Sequence, residues 1–378
     1  MPLAPSDPSR PDAASQGASA SPEYHALAEI PVGNGPEGLA PDRARHRVYV
    51  ACSRTNAVAV VDLDGLRCLQ RVEVGQEPIA VVYDEVGDRI FVAAARSNAV
   101  TVVDAATLTV VAEIGVGEYV AGLAIHPDRR KLYTGDTAAG TVSVVDLDGL
   151  RLLATVPARL GAGSLGVDRV RDRLWCANFM DGTATIVDTA TDRPLAEITV
   201  GEYPCKVGLA PAAGRGYVAH SLSGAIGVLD LEANELVDEI PLSGSPVGLT
   251  VSDTGSHIYL ADRSEGELVV VDAARREEAV RATVGAGPGD VVFGPTPGSV
   301  LVSNAGSGSI TVLQDRHAPA SRPNGGSPSR ARSRGSTPHP LVGRPLPPFK
   351  LPDMVTGALR TAEEWQGKKY LVNFFASW

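Results

Sequence analysis

The chain has 378 residues, 44% apolar and 21% charged, enough apolar mass for a large buried core. Its net charge of -10 is uneven: residues 315–378 hold 10 Lys and Arg against 4 Asp and Glu, a surplus of +6, which leaves -16 on residues 1–314. An acidic body without a basic stripe excludes nucleic acid and anionic membrane as main partners, and no membrane span is expected.

Residues 1–22 are Ala, Ser, Pro and Asp with no apolar stretch, which predicts a flexible tail rather than a leader peptide or membrane anchor. Beyond them the sequence repeats. An Asp closes an apolar run at Asp62, Asp104, Asp146, Asp188, Asp230 and Asp272, each step being 42 residues, and Gln314 holds the seventh place. Tyr49, Phe91, Tyr133, Trp175, Tyr217, Tyr259 and Leu301 mark a second register, and Gly33, Gly75, Gly117, Gly201 and Gly285 a third. A unit with a fixed period of this size cannot bury its apolar surface alone and must stack on its neighbours.

The unit from Val74 to Val116 shows the elements. Four runs rich in Val and Ile, at 79–83, 89–93, 99–103 and 108–114, are separated by Gly, Pro, Asp or Asn. None keeps helical spacing for long, so four short strands are predicted. Seven such units predict an all-β, seven-bladed β-propeller over residues 23–314, its four-stranded blades set around a channel. Ala28-Glu29-Ile30 copies Ala112-Glu113-Ile114 and Ala196-Glu197-Ile198, and the last unit lacks a fourth strand. The N-terminal strand is therefore expected to complete the last blade and leave no open edge. The aromatic register is expected in the core, and the periodic Asp is expected to form turns by accepting backbone N–H bonds.

Units reading Tyr49-Val50-Ala51, Asn56-Ala57-Val58 and Val60-Val61-Asp62, preceded by Val32-Gly33 with Pro36 and Gly38, resemble the YVTN-type repeat of bacterial seven-bladed propellers. The third unit departs from it at Val120, and the fourth at Arg159 and Ala162. The resemblance implies a periplasmic, extracellular or surface binding scaffold, although the tail without a leader leaves the cytoplasm open too.

In a propeller the loops entering the innermost strands and the loops between second and third strands open on one face. The period places Glu37, Glu77, Glu118, Tyr119, Glu202, Tyr203, Lys206 and Asp290 in the first set. It places Asp136, Asn178, His220, Asp262 and Asn304 in the second, with Arg54, Arg96 and Arg263 close by. Loops on a rigid scaffold are where binding usually resides, so Glu118, Tyr119, Asp136, Asn178, Glu202, Tyr203, His220, Asp262 and Asn304 form the candidate ligand-binding set. The competing reading is that Asn or Asp at a strand end caps the turn. Asp136, Asp262 and His220 together suggest a cation site or an acid–base group. Their acidity favours a cation or a positively charged partner over phosphate.

Two functions compete: a binding scaffold for a protein or small-molecule ligand, acting as a monomer, and a hydrolase-like or lactonase-like enzyme using the mouth carboxylates and His220. The chain has no Gly-x-Ser-x-Gly elbow and no His/Cys metal spacing, and no cofactor is expected. Cys52, Cys68, Cys176 and Cys205 show no paired spacing; Cys205, placed in a loop, is the candidate reactive thiol.

Residues 315–340 are rich in Ser, Pro, Gly and Arg and predict a linker. Residues 341–378 hold Pro345, Pro347, Phe349 and Leu351, then end on Asn373-Phe374-Phe375-Ala376-Ser377-Trp378. They resemble the opening of thioredoxin-like thiol–disulfide oxidoreductases of the redoxin class, cut off before the Cys-x-x-Cys pair that does the chemistry. The expectation is a fragment of a longer protein, with no dithiol chemistry of its own.

Overall fold

A computed structural model describes residues 23–316, together with 350–352 and 359–361. Among the described residues are seven four-stranded antiparallel sheets, one per repeat. The unit used above folds as strands Pro78–Asp84, Arg89–Ala94, Ala99–Asp104 and Thr109–Gly115, which matches the sequence reading to within a residue or two. The first strands pack against one another in blade order, and Pro288–Phe293 meets Pro36–Asp42 to complete the ring.

Closure comes from the chain start. Strand Tyr24–Pro31 pairs antiparallel with Ser309–Asp315, with Ala28 opposite Val312 and Ile30 opposite Ile310. Ile30 is buried against both the last blade and the first, so no blade edge is left open there.

The aromatic register is core: Tyr49, Phe91, Tyr133 and Trp175 are fully buried, and Tyr217 and Tyr259 nearly so. The periodic Asp forms turns as expected. Asp104 Oδ1 accepts the N–H groups of Ala106 and Thr107 at 3.1 and 2.7 Å, and Asp188, Asp230 and Asp272 repeat the pattern. The turn residues Asp88 and Asn98 take left-handed backbone, at φ 50 and 52°.

Lys350–Pro352 pairs antiparallel with Leu359–Thr361. The rest of the segment that resembles a thioredoxin-like domain, most of the linker and the N-terminal tail lie outside the described residues. Among the described residues no helix is long and apolar enough to cross a membrane.

Candidate functional site

The two loop sets do share one face, because they are hydrogen-bonded to each other. Ser53 N–H donates to Gly35 O, Ala95 N–H to Glu77 O, Thr137 N–H to Tyr119 O and Phe179 N–H to Gly161 O, at 2.8 to 3.1 Å. Glu118, Tyr119, Glu202 and Tyr203 are exposed on that face as expected.

The second set is not on the surface. Asp136, Asn178, His220, Asp262 and Asn304 are at most 2% exposed. Asp136, His220, Asp262 and Asn304 each occupy space left by a glycine of the adjoining loop. A Cβ on Gly117 would come within 2.6 Å of Asp136, one on Gly201 within 2.5 Å of His220, and one on Gly285 within 2.6 Å of Asn304. In three of the five blades the polar atoms meet hydroxyls five and seven residues on. Asp136 accepts from Thr141 and Ser143 at 3.0 and 2.6 Å. Asn178 donates to Thr183 and Thr185 at 3.0 and 2.9 Å, and Asn304 to Ser309 and Thr311 at 3.1 and 2.9 Å.

In the His220 blade those two positions are Ala225 and Gly227, and the imidazole fills the vacated space. Both of its ring nitrogens lack a hydrogen bond, with Glu239 Oε1 3.5 Å from Nδ1. Burial holds its pKa below the ordinary histidine value, opposed by Glu239. Burial raises the Asp136 carboxyl. Burial also acts upward on Asp262, but bonds from Ser245, Ser264 and Arg281 outweigh it and hold that carboxyl below the usual range. The Asp136–His220–Asp262 grouping is therefore not assembled: the three sit in three blades, each enclosed by its own. Among the described residues no three His, Cys, Asp or Glu side chains gather as a metal would need.

The face instead opens into the central channel, a cavity of about 480 Å³ lined by all seven first strands. Each first strand carries a β-bulge at its mouth end, between Pro36 and Leu39, Pro78 and Ala80, Val120 and Gly122, and at the equivalent places in the other four blades. A bulge shifts the in–out alternation and re-aims side chains. Here it turns Glu37, Lys206 and Asp290 to the channel. Lys206 Nζ lies 2.8 Å from Asp290 Oδ1, an ion pair from the fifth blade to the seventh across Gly248. Asp290 Oδ2 also accepts Leu39 N–H at 3.3 Å.

Glu37 is half-buried and forms no hydrogen bond or ion pair among the described residues. Burial pushes its carboxyl up, Arg263 and Arg54 pull it down, and Asp290 adds to the rise. On the rim Tyr119 Oη donates to Glu77 Oε1 at 2.9 Å, and Arg96 pairs with Glu77. The opposite wall is apolar. Ile79 and Ala121 line it, and Phe179 packs against Tyr203 with ring centroids 5.1 Å apart.

Cys205 stands in strand Pro204–Ala210, not in a loop, and lines the channel. Its Sγ lies 3.2 Å from Ala219 O and 3.3 Å from Pro246 O, and burial raises its pKa. That shift favours the thiol over the thiolate, the reverse of what an activated nucleophile needs. Burial likewise pushes Cys52 up to about 11 and Cys176 up to about 12.

No protein-family model matches the chain, and no curated protein matches it. Among solved structures it is similar to Kuenenia stuttgartiensis hydrazine synthase, at 18% identity and a TM-score of 0.70, over 75% of this chain and 96% of that one. The chain shares a β-propeller architecture with it. At that identity the likeness speaks for the fold alone.

Sequence reasoning missed Phe179 and the bulge. One signal was there to read. The first-strand register of Leu39 is Leu or Val in all seven blades, whereas the register of Glu37, two residues earlier, runs Glu, Ile, Ala, Gly, Cys, Val, Gly. Packing asks for the same residue in every blade; a ligand without sevenfold symmetry does not.

Proposed function

We propose that the chain is a binding scaffold that takes a small ligand, or a short segment of a partner, at the channel mouth through Glu37, Lys206, Asp290, Arg263, Phe179 and Tyr203. The observation that carries this reading is the loss of repeat symmetry where seven bulges aim side chains into one cavity. A cavity of about 480 Å³ with apolar walls and a few converging polar groups has the size and chemistry of a small-molecule site. The exposed rim residues Glu118, Tyr119 and Glu202 extend it outward.

The likeness to YVTN-type repeats supports a binding role, and the likeness of residues 341–378 to thioredoxin-like proteins supports a scaffold that serves a thiol–disulfide domain. The hydrolase-like alternative needs an accessible base, and His220 is sealed inside its blade.

The test is a fragment screen against the chain, repeated with Phe179→Ala and Lys206→Met at the mouth and with Arg169→Ala on the far face, where Arg169 pairs with Asp128. Fragment binding should be lost at the mouth variants and kept in the far-face variant. Binding that survives both mouth changes and is lost with Arg169→Ala would place the site on the other face.

A further inference from the structure

We infer that the mouth site takes a small zwitterion of the amino-acid type, its ammonium at Glu37, its carboxylate at Arg263 and its apolar body on the wall of Ile79, Phe179 and Tyr203. The inference rests on the mouth being the binding site and adds the class of ligand.

Three observations carry it. First, Glu37 and Arg263 line the same cavity and feel each other's charge, yet they form no salt bridge among the described residues. Arg263 spends one N–H on Pro288 O at 3.4 Å. Glu37 has no donor at all among the described residues. A half-buried carboxylate without a donor and a guanidinium with free N–H groups ask for a ligand that both donates and accepts.

Second, the other two charges that line the cavity, Lys206 and Asp290, are already matched to each other. On the rim Arg96 pairs with Glu77. The cavity therefore offers one unmatched charge of each sign, which suits a zwitterion better than a lone cation or a lone anion; Arg54, the next base toward Glu37, strengthens the carboxylate side. Third, the lining also holds apolar and aromatic side chains, among them Ile79, Leu165 and the Phe179–Tyr203 pair, which is set to receive a flat or branched side chain. The expectation of a plain cation drawn from the acidic composition is thereby narrowed.

The test uses isothermal titration of the full chain with three probes that share a phenyl body: L-phenylalanine, phenethylamine and 3-phenylpropanoate. L-phenylalanine should bind tightest, with each singly charged probe weaker by about tenfold, the worth of one charge-assisted hydrogen bond of about 1.5 kcal/mol. Glu37→Gln should bring L-phenylalanine down to the affinity of 3-phenylpropanoate. Arg263→Met should bring it down to that of phenethylamine. Both variants should keep the melting temperature of the parent.

Equal binding of all three probes, or a common loss factor for all three in both variants, overturns the inference. So does a singly charged probe that matches L-phenylalanine. If no probe binds while other fragments still bind through Phe179 and Lys206, the ligand class is wrong and the mouth reading stands; if fragments also fail there, both fall.

Discussion

Replacing Tyr203 by Gly and, separately, by Ala separates the backbone of the channel mouth from the side chain it presents. Tyr203 sits at φ 51°, in the left-handed region, immediately before Pro204, which already restricts the residue ahead of it. The same repeat position is Gly35, Gly161 and Gly287 in other blades, at φ 66, 82 and 62°. A residue with a Cβ held there costs about 1–2 kcal/mol. Both substitutions remove the packing on Phe179, worth about 0.5–1.5 kcal/mol beyond area, but only Gly relieves the backbone. Gly also loses about 0.5–1 kcal/mol through its freer unfolded chain. The Gly variant should therefore exceed the Ala variant by on the order of 1 kcal/mol, or roughly 2–4 °C in Tm for a domain of this size. Urea unfolding and thermal melts of the pair measure it, and both variants should lose ligand affinity together. An Ala variant as stable as the Gly variant would show that the backbone there is unstrained, and would remove the sign that a side chain is kept at this rim at some expense.

Three further outcomes follow. Trp175→Ala empties a fully buried site and should lower stability by about 3–5 kcal/mol, read as an earlier melt of the whole ring; an unchanged midpoint contradicts the core assignment. Deleting residues 1–31 removes the strand that pairs with Ser309–Asp315 and should leave an earlier-melting, self-associating protein by light scattering, whereas a monomer with the parent midpoint contradicts closure. Asp136→Asn copies Asn178 and Asn304 at the same register. Burial raises the Asp136 pKa above its unfolded value, so its favourable share is present below about 3.9, the unfolded value, and is lost as pH rises through the folded pKa. The variant should be more stable than the parent at pH 7, with the gap closing toward pH 4. A gap independent of pH would refute the cause given.

The ring was legible because burial repeats it: Tyr49 to Tyr259, the turn-forming Asp62 series and the Ala28 copy each record a packing demand that every blade shares. The site was less so. Period tells which residues are equivalent but not which way a strand end points. The bulge after Pro36 shifts that alternation, and Gly117 or Gly201 opens the pocket that swallows Asp136 or His220. The hydroxyls at Thr141 and Ser143, and at Thr183 and Thr185, carried the sign that these polar side chains turn inward. The period placed Glu37, Lys206 and Asp290 among the mouth residues but not in the candidate ligand-binding set, although their registers do not repeat; Phe179 was hidden behind a loop position that is Ser, Ala or Thr in most blades.

Ligand binding at the channel mouth is reported most directly by the δ1-methyl group of Ile79. Ile79 lines the cavity, whereas Ile90, on the next strand of the same blade, is sealed in the core. In a methyl-labelled sample titrated with L-phenylalanine or with any fragment that binds, the Ile79 resonance should move in step with saturation while Ile90 stays in place. Saturable binding that leaves Ile79 unmoved would contradict the account.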